Sequence, residues 1–193
     1  ADLHNIEYFG RGPEENYCDR CSGTQIDLYK TTVEELYFPY VRPQENGHHI
    51  DTKWLALHDS NEKGLIIRAD DQFEFNALRN PVEDFDDEDQ KDLEYQKHYF
   101  GWEETCENVL KRQHHIDDVV PHDFVEVNID LKQEGVAGFN SWGDRPLDEF
   151  SVSALRNHSY GFTIIPFKDE SEIPFKIAFN YNVQDVSHKC IIA

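Results

Sequence analysis

The sequence predicts an all-β protein built from antiparallel sheets. Apolar and polar residues alternate in several short runs, most clearly at residues 73–77 and 125–131, as they do in half-buried strands. Turn-forming pairs such as Asn46-Gly47 and Glu134-Gly135 separate the runs. Aromatic residues make up 13% of the 193 residues, and such side chains pack well on a pleated surface. Many short strands with frequent turns are typical of an antiparallel sandwich.

Further strands are predicted between recognisable turns. In chain order they cover residues 5–10, 25–30, 52–58 and 64–70. A Gly-Arg-Gly-Pro segment at residues 10–13 ends the first, and an Asp-Ser-Asn turn at residues 59–61 separates the last two. Near the C-terminus, apolar residues alternate at positions 160, 162 and 164 and again at 175, 177, 179 and 181. We expect the last of these runs to add an edge strand.

One segment interrupts the strand pattern. Residues 83–107 are rich in Asp and Glu, and Asn80-Pro81 before them offers a helix cap and a first-turn proline. The sequence therefore predicts a short, partly helical acidic insertion. Its carboxylates would also suit calcium, but the ligand spacing and the glycine of an EF-hand are missing.

The charge of the chain narrows the choice of partners. A formal net charge of −21 argues against DNA and RNA, whose binding needs Lys and Arg to displace counterions from phosphates. It argues against anionic membrane surfaces for the same reason, and no run approaches the roughly 18 apolar residues of a membrane span. The chain contains no Met, and we interpret it as a piece of a longer polypeptide.

Cysteines and paired histidines raise the question of a metal site. Cys18 and Cys21 have the spacing of half a zinc site, but the other two cysteines stand alone and far away. The histidines at 48–49 and 114–115 are adjacent pairs, and neighbours on a strand face opposite ways, so such a pair rarely provides two ligands to one ion. We therefore predict reduced thiols, packing or surface histidines, and no metal site in this chain.

Three ordered runs carry a family resemblance. The first extends from Gly10 to Tyr17 (GRGPEENY) and is followed by Asp19-Arg20. The second covers residues 37–47 (YFPYVRPQENG), and the third covers residues 135–143 (GVAGFNSWG). In this order and separation they resemble the C-terminal domain of bacterial β-galactosidases of glycoside hydrolase family 2, which also occurs as the small chain of two-subunit forms. The resemblance extends from about Ile6 to Pro166.

The resemblance implies a fold and a domain organisation. The expected fold is an antiparallel β-supersandwich similar to that of galactose mutarotases, with residues 1–193 forming the C-terminal portion of that domain. The acidic segment at about 83–107 then reads as an insertion, and residues 168–193 as an extra tail. Cys18 stands where the family commonly has proline, which further weakens a zinc interpretation. A bacterial source leaves the compartment open between cytoplasm and periplasm.

The resemblance also implies that the catalytic groups lie elsewhere. Retaining glycoside hydrolysis needs two carboxyl groups about 5 Å apart, and in the family both come from a barrel domain that this chain lacks. We expect Glu14, Glu15 and Glu45 to cap turns or pair with arginines such as Arg11, Arg20 or Arg42. No catalytic residue is assigned here, and the family's magnesium and sodium sites are expected in the missing barrel.

Trp142 is the predicted substrate-binding residue. In the family, the tryptophan of the matching glycine-rich loop lines the mouth of the active site, and a flat indole suits the apolar C–H face of a sugar. The alternative is that Trp142 is buried in the core, as we expect for Trp54, while Trp102 is expected to pack the acidic insertion.

The leading function is a non-catalytic domain that completes the sugar site of a β-galactosidase. Its expected partners are the galactoside substrate, the remaining domains or large subunit, and a possible second copy of the chain. A free-standing carbohydrate-binding module and a mutarotase-like epimerase are the alternatives, and the latter rests on analogy of fold alone.

Overall fold

A computed structural model describes residues 3–41, 43–85, 116–138, 140 and 143–178 of the chain. These residues form an antiparallel sheet with little helix, as predicted. The strands are β1 (Asn5–Gly12), β2 (Gln25–Thr32), β3 (His49–His58), β4 (Gly64–Leu78), β5 (Glu126–Asp130) and β6 (Phe162–Phe167). The prediction of an all-β fold is confirmed.

All six strands belong to one sheet. Its order is β2-β1-β3-β4-β5, and β6 also pairs with β4. The 15-residue strand β4 serves two partners, because Gly64–Ala69 pairs with β6 and Glu74–Leu78 pairs with β5. The two runs predicted at 64–70 and 73–77 are thus one continuous strand, and the pairing of β4 with β3 shifts its register between His49 and Trp54, as a β-bulge does.

Short helical turns occupy the connections. Helix α1 (Val33–Leu36) follows β2 and is capped by the Thr32 hydroxyl, and α2 (Ile173–Ala178) follows β6. Single 3-10 turns lie at Val82–Phe85, Ile116–Asp118, Asp148–Phe150 and Glu170–Glu172. The first begins just after Asn80-Pro81, where the sequence predicted a helix start, but the rest of the acidic insertion, with Trp102, lies outside the described residues. No helix in the described ranges has the length and apolar character needed to cross a membrane.

The two faces of the sheet carry separate hydrophobic clusters. The larger one includes Tyr8, Leu55 and Phe75, which are fully buried. The smaller one lies on the other face, where Ile66 and Ile165 are covered by Ile173 of α2, and Trp54 packs against it while half-buried. Each such side chain removed from water stabilises the fold by about 1.5–3 kcal/mol. Trp54 thus packs against the core but is half-buried rather than buried in it.

The C-terminal elements differ from the sequence prediction in two respects. The strand predicted at 175–181 is wrong as far as it is described, because Ile173–Ala178 forms a helix and residues 179–181 are outside the described ranges. Ile173 and Ile177 are four positions apart, so a helix turns both toward the small cluster, whereas Pro174 could not donate to a sheet ladder. In β6, Ile165 and Phe167 are buried and Ile164 is 58% exposed, the reverse of the predicted facing.

Candidate functional site

The glycine-rich loop at residues 135–143 follows β5 and is the predicted sugar-contacting segment. Trp142 itself lies outside the described residues, as do Phe139 and Ser141. The described residues define both arms of the loop and the groups that hold them. The site is therefore described through the contacts of these loop residues.

Asp19 holds the first arm of the loop. It lies in a two-residue turn that Tyr17 and Arg20 close with reciprocal backbone hydrogen bonds of 3.2 and 2.9 Å. Its carboxylate accepts from the backbone N–H of Val136 at 3.2 Å and from that of Ala137 at 2.7 Å. Two of the runs that carry the family resemblance, more than a hundred residues apart, thus meet through one side chain.

Glycines allow the close approaches within this loop. A Cβ on Gly135 would lie 2.5 Å from Oδ2 of Asp19 and 3.0 Å from Cβ of Phe150. A Cβ on Gly138 would lie 2.5 Å from the carbonyl oxygen of Asp144. Gly143 has φ of +99°, a conformation that residues with a Cβ rarely adopt. The glycine-rich composition of the segment follows from these contacts.

The segment that leads into the loop is held by a second carboxylate. Oε2 of Glu74, in β4, accepts from the backbone N–H of Gln133 at 2.6 Å and lies 2.9 Å from Nε2 of His48. The side-chain amide of Gln133 donates to Glu45 at 2.8 Å. Burial raises the pKa of nearby Asp130 above its usual range, which His48 opposes and Glu74 reinforces. The loop therefore leaves the sheet from a buried, hydrogen-bonded base.

Glu15 joins the first two motif runs. Its carboxylate pairs with Arg20 and with the Tyr40 hydroxyl, and its other oxygen accepts from the Gly47 backbone N–H at 2.8 Å. The Arg20 guanidinium also lies over the ring of Tyr17, 5.1 Å from its centroid, which is a cation–π geometry. Burial raises the pKa of the Tyr17 phenol well above its usual range, and the carboxylate of Glu15 adds to the shift. Glu15 thus has the turn-holding, arginine-paired environment expected from its sequence context.

Comparison with known proteins assigns a family to this arrangement. The beta galactosidase small chain family matches residues 1–164. The chain belongs to the β-galactosidase small-chain family. It is 31% identical over 167 residues to a β-galactosidase of Streptococcus thermophilus and 30% identical over 166 residues to one of Priestia megaterium, each match covering 86% of this chain. A β-galactosidase of Vibrio cholerae is 28% identical over 148 residues, or 77% of the chain.

The relatives are much longer proteins. The chain matches 14% of the length of the Streptococcus and Priestia β-galactosidases and 11% of the Vibrio protein. The small-chain match ends at residue 164, close to the end of the resemblance inferred from the motifs. All three motif runs fall inside it.

The paired histidines of this small-chain domain have separate surroundings. His48 stacks on Tyr17 with ring centroids 5.4 Å apart and reaches Glu74, whereas His49 contacts the carbonyl oxygens of Gly47 and Pro13. Burial lowers the pKa of His49 below its usual range. His48 is 0% exposed, so a sugar could not reach its pair with Glu74. The second pair, at 114–115, lies outside the described residues.

Cys18 lies in the same turn as Asp19, and Cys21 directly follows that turn. Both are free thiols, and the Cys18 sulfur lies 3.7 Å from the carbonyl oxygen of Gln133. Burial raises the pKa of the Cys18 thiol. Within the described ranges, no three His, Cys, Asp or Glu side chains form a group that could hold a metal ion. Cys106 and Cys190 lie outside those ranges.

Sequence reasoning named the motifs of this small-chain domain but missed three residues that frame the site. Asp19, Glu74 and Gln133 were not singled out, because nothing in one sequence reveals which carboxylate will meet a distant backbone N–H. Asp19 does follow the first motif run, as part of the Asp19-Arg20 pair that extends the resemblance. That position was the available signal for it.

Proposed function

We propose that this chain is a non-catalytic part of a β-galactosidase that completes the sugar-binding site for a galactoside such as lactose. The observation that carries the proposal is the match of residues 1–164 to the small-chain family. Because the chain corresponds to 14% of its longer relatives, most of the active site is to come from the remaining polypeptide. We propose that the catalytic carboxylates, and the magnesium and sodium sites that the resemblance implies, lie in that remaining part.

The framed loop supports a binding role. A loop that contributes to a binding site costs less to order on binding if its arms are already held in place. Here Asp19 holds one arm through two backbone hydrogen bonds, and Asn140 donates to Asp144 at 2.7 Å within the loop. The proposed sugar contact is Trp142, whose indole would pack on the C–H face of the galactoside.

The surroundings of the carboxylates near the loop support a non-catalytic role. Glu15 is engaged by Arg20, Tyr40 and the Gly47 backbone. Glu45 accepts from the Gln133 amide. A nucleophile and an acid/base pair must instead face the scissile bond from two sides, which groups engaged in holding turns do not do.

Exposed apolar side chains support association with the remaining enzyme. On the edge strand β2, Ile26 and Leu28 are 48% and 49% exposed, and Ile164 on β6 is 58% exposed. An edge strand with apolar residues is usually covered in the working protein. We propose that the rest of the β-galactosidase, or its large subunit, covers these surfaces.

The test is reconstitution. The 193-residue chain is expressed alone, and with the polypeptide that supplies the remaining β-galactosidase, and hydrolysis of lactose is measured in both preparations. The chain alone should be inactive, and the remaining polypeptide should gain activity when the chain is added. Hydrolysis by the chain alone, or full activity without it, would overturn the proposal.

A further inference from the structure

Asp19 combines three properties that single it out among the carboxylates of the described residues near the loop. It is at the tip of a turn that two backbone hydrogen bonds close. Both of its carboxylate oxygens accept backbone hydrogen bonds, from the consecutive residues Val136 and Ala137. These donors are 117 and 118 positions away in the sequence, so the contact arises only in the folded chain.

The contact ties residues 136 and 137, near the start of the loop, to the turn that contains Asp19. Gly135 donates its own backbone N–H to the carbonyl oxygen of Phe150 at 2.9 Å, and the absence of a side chain there lets Asp19 approach closely. On the sheet side, Gln133 is held by Glu74 at 2.6 Å. The backbone N–H groups of Gln133, Gly135, Val136 and Ala137 are thus hydrogen-bonded, and Asp19 supplies the last two of these bonds before the segment that carries Trp142.

We propose that Asp19 is a positioning residue for the sugar site, acting through the loop at residues 135–144. The inference rests on the proposed function, in which Trp142 contacts the galactoside. Charged acceptors form the stronger class of hydrogen bond to backbone N–H groups. Without this acceptor the loop would sample several positions, and a shift of about 1 Å in a substrate-positioning group is enough to weaken binding and catalysis severely.

The experiment compares two matched variants in the complete β-galactosidase. Asp19→Ala removes the clamp on the loop. Asp59→Ala is the control, because the Asp59 carboxylate also accepts from two backbone N–H groups, those of Asn61 and Lys63 at 2.8 and 3.1 Å, but in the turn between β3 and β4. That turn follows β3, a strand of ten residues, so about 30 Å of strand separates it from His49 at the start of β3.

Inhibition by galactose and KM for lactose are measured together with thermal unfolding. Asp19→Ala should weaken galactose binding and raise KM about tenfold, while Asp59→Ala should leave both constants unchanged, even if each lowers Tm. If Asp19 had a purely structural role, Asp19→Ala would lower Tm but would have the same galactose inhibition constant and KM as Asp59→Ala. Equal galactose binding in the two variants would overturn the inference.

A milder variant covers the case in which Asp19→Ala fails to fold. Asp19→Asn keeps one oxygen that can accept from Ala137, but its amide NH2 cannot accept from Val136. It should give an intermediate loss of galactose binding with little change in Tm. Wild-type binding in this variant would count against the proposal.

A double variant separates this inference from the proposed function. If Asp19 acts through Trp142, then Asp19→Ala should add no further loss of galactose binding to Trp142→Ala, since coupled residues are not additive. A full additional loss would overturn the positioning role while leaving the proposed function intact. Wild-type binding by Trp142→Ala alone would instead overturn the proposed function, and the inference with it.

Discussion

One oxygen of Glu74 joins two separate segments, because it accepts from the backbone N–H of Gln133 at 2.6 Å and lies 2.9 Å from Nε2 of His48. Glu74 is 8% exposed and His48 is fully buried. The carboxylate therefore ties the start of β3 and the segment after β5 to the middle of β4. Buried donors that lose such an acceptor pay the full cost of desolvation.

Replacing Glu74 should destabilise the chain. Glu74→Ala is expected to lower the free energy of unfolding by about 3 kcal/mol, since it leaves the His48 ring and the Gln133 N–H without an acceptor. Urea unfolding of the 193-residue chain measures the effect. Asp71→Ala is the control, because the Asp71 side chain is 92% exposed in its ion pair with Lys53. The urea midpoint of this variant should equal that of the wild-type chain. Equal shifts in both variants would contradict the assigned role of Glu74.

A side chain at Gly135 should disrupt the loop frame. Gly135→Ala places a Cβ 2.5 Å from Oδ2 of Asp19, so either the clamp opens or the loop moves, and overpacking of this kind costs about 1–3 kcal/mol. Gly23→Ala is the matched control, because a Cβ there would meet nothing within 4 Å, and it should leave stability unchanged or raise it slightly. Urea unfolding measures the free energy of unfolding of both variants. A Gly135→Ala chain as stable as Gly23→Ala would show that the clamp yields without cost.

Acid should weaken the fold partly through His49. Burial lowers the pKa of this imidazole in the folded chain, so below its ordinary value of about 6.5 the unfolded chain takes up a proton that the folded chain does not. The contribution of His49 to the free energy of unfolding is fully present above that pH, and it is lost as the pH falls toward the lowered pKa.

A variant isolates that contribution. The free energy of unfolding is measured at pH 7.5 and 5.5 for the wild-type chain and for His49→Asn, which can still donate to the Gly47 carbonyl. The variant will be less stable overall, because His49 stacks on Phe75 with centroids 5.2 Å apart. Its free energy of unfolding should nevertheless fall less between pH 7.5 and 5.5 than that of the wild-type chain. Equal losses would mean that His49 does not titrate differently in the folded and unfolded chains.

Replacing Trp142 tests the sugar contact. In the complete enzyme, Trp142→Ala should weaken substrate binding by about 1–3 kcal/mol, the scale of a lost aromatic contact, with little effect on folding. Competitive inhibition by galactose and thermal unfolding are measured on the same preparation. Much earlier melting with unchanged kinetics would place Trp142 in the core instead.

The strands could be predicted because their causes are local. Alternation in residues 125–131 and 73–77 locates β5 and part of β4, and the turn at residues 59–61 locates the bend between β3 and β4. Alternation failed where two periods coincide. Positions 173, 175 and 177 alternate as in a strand, but Ile173 and Ile177 also have the i,i+4 spacing of a helix face, and only their packing against one cluster decides for the helix.

The sequence by itself determined the antiparallel class, the family and the identity of the glycine-rich loop, because these depend on residue types at fixed spacings. Only the tertiary structure decided that Asp19 and Glu74 hold that loop, and that Ile165 rather than Ile164 is buried. The physical reason is that every residue offers a backbone N–H, and every alternating strand offers two faces. Which donor meets which carboxylate, and which face is covered, follows from the neighbours that folding brings together.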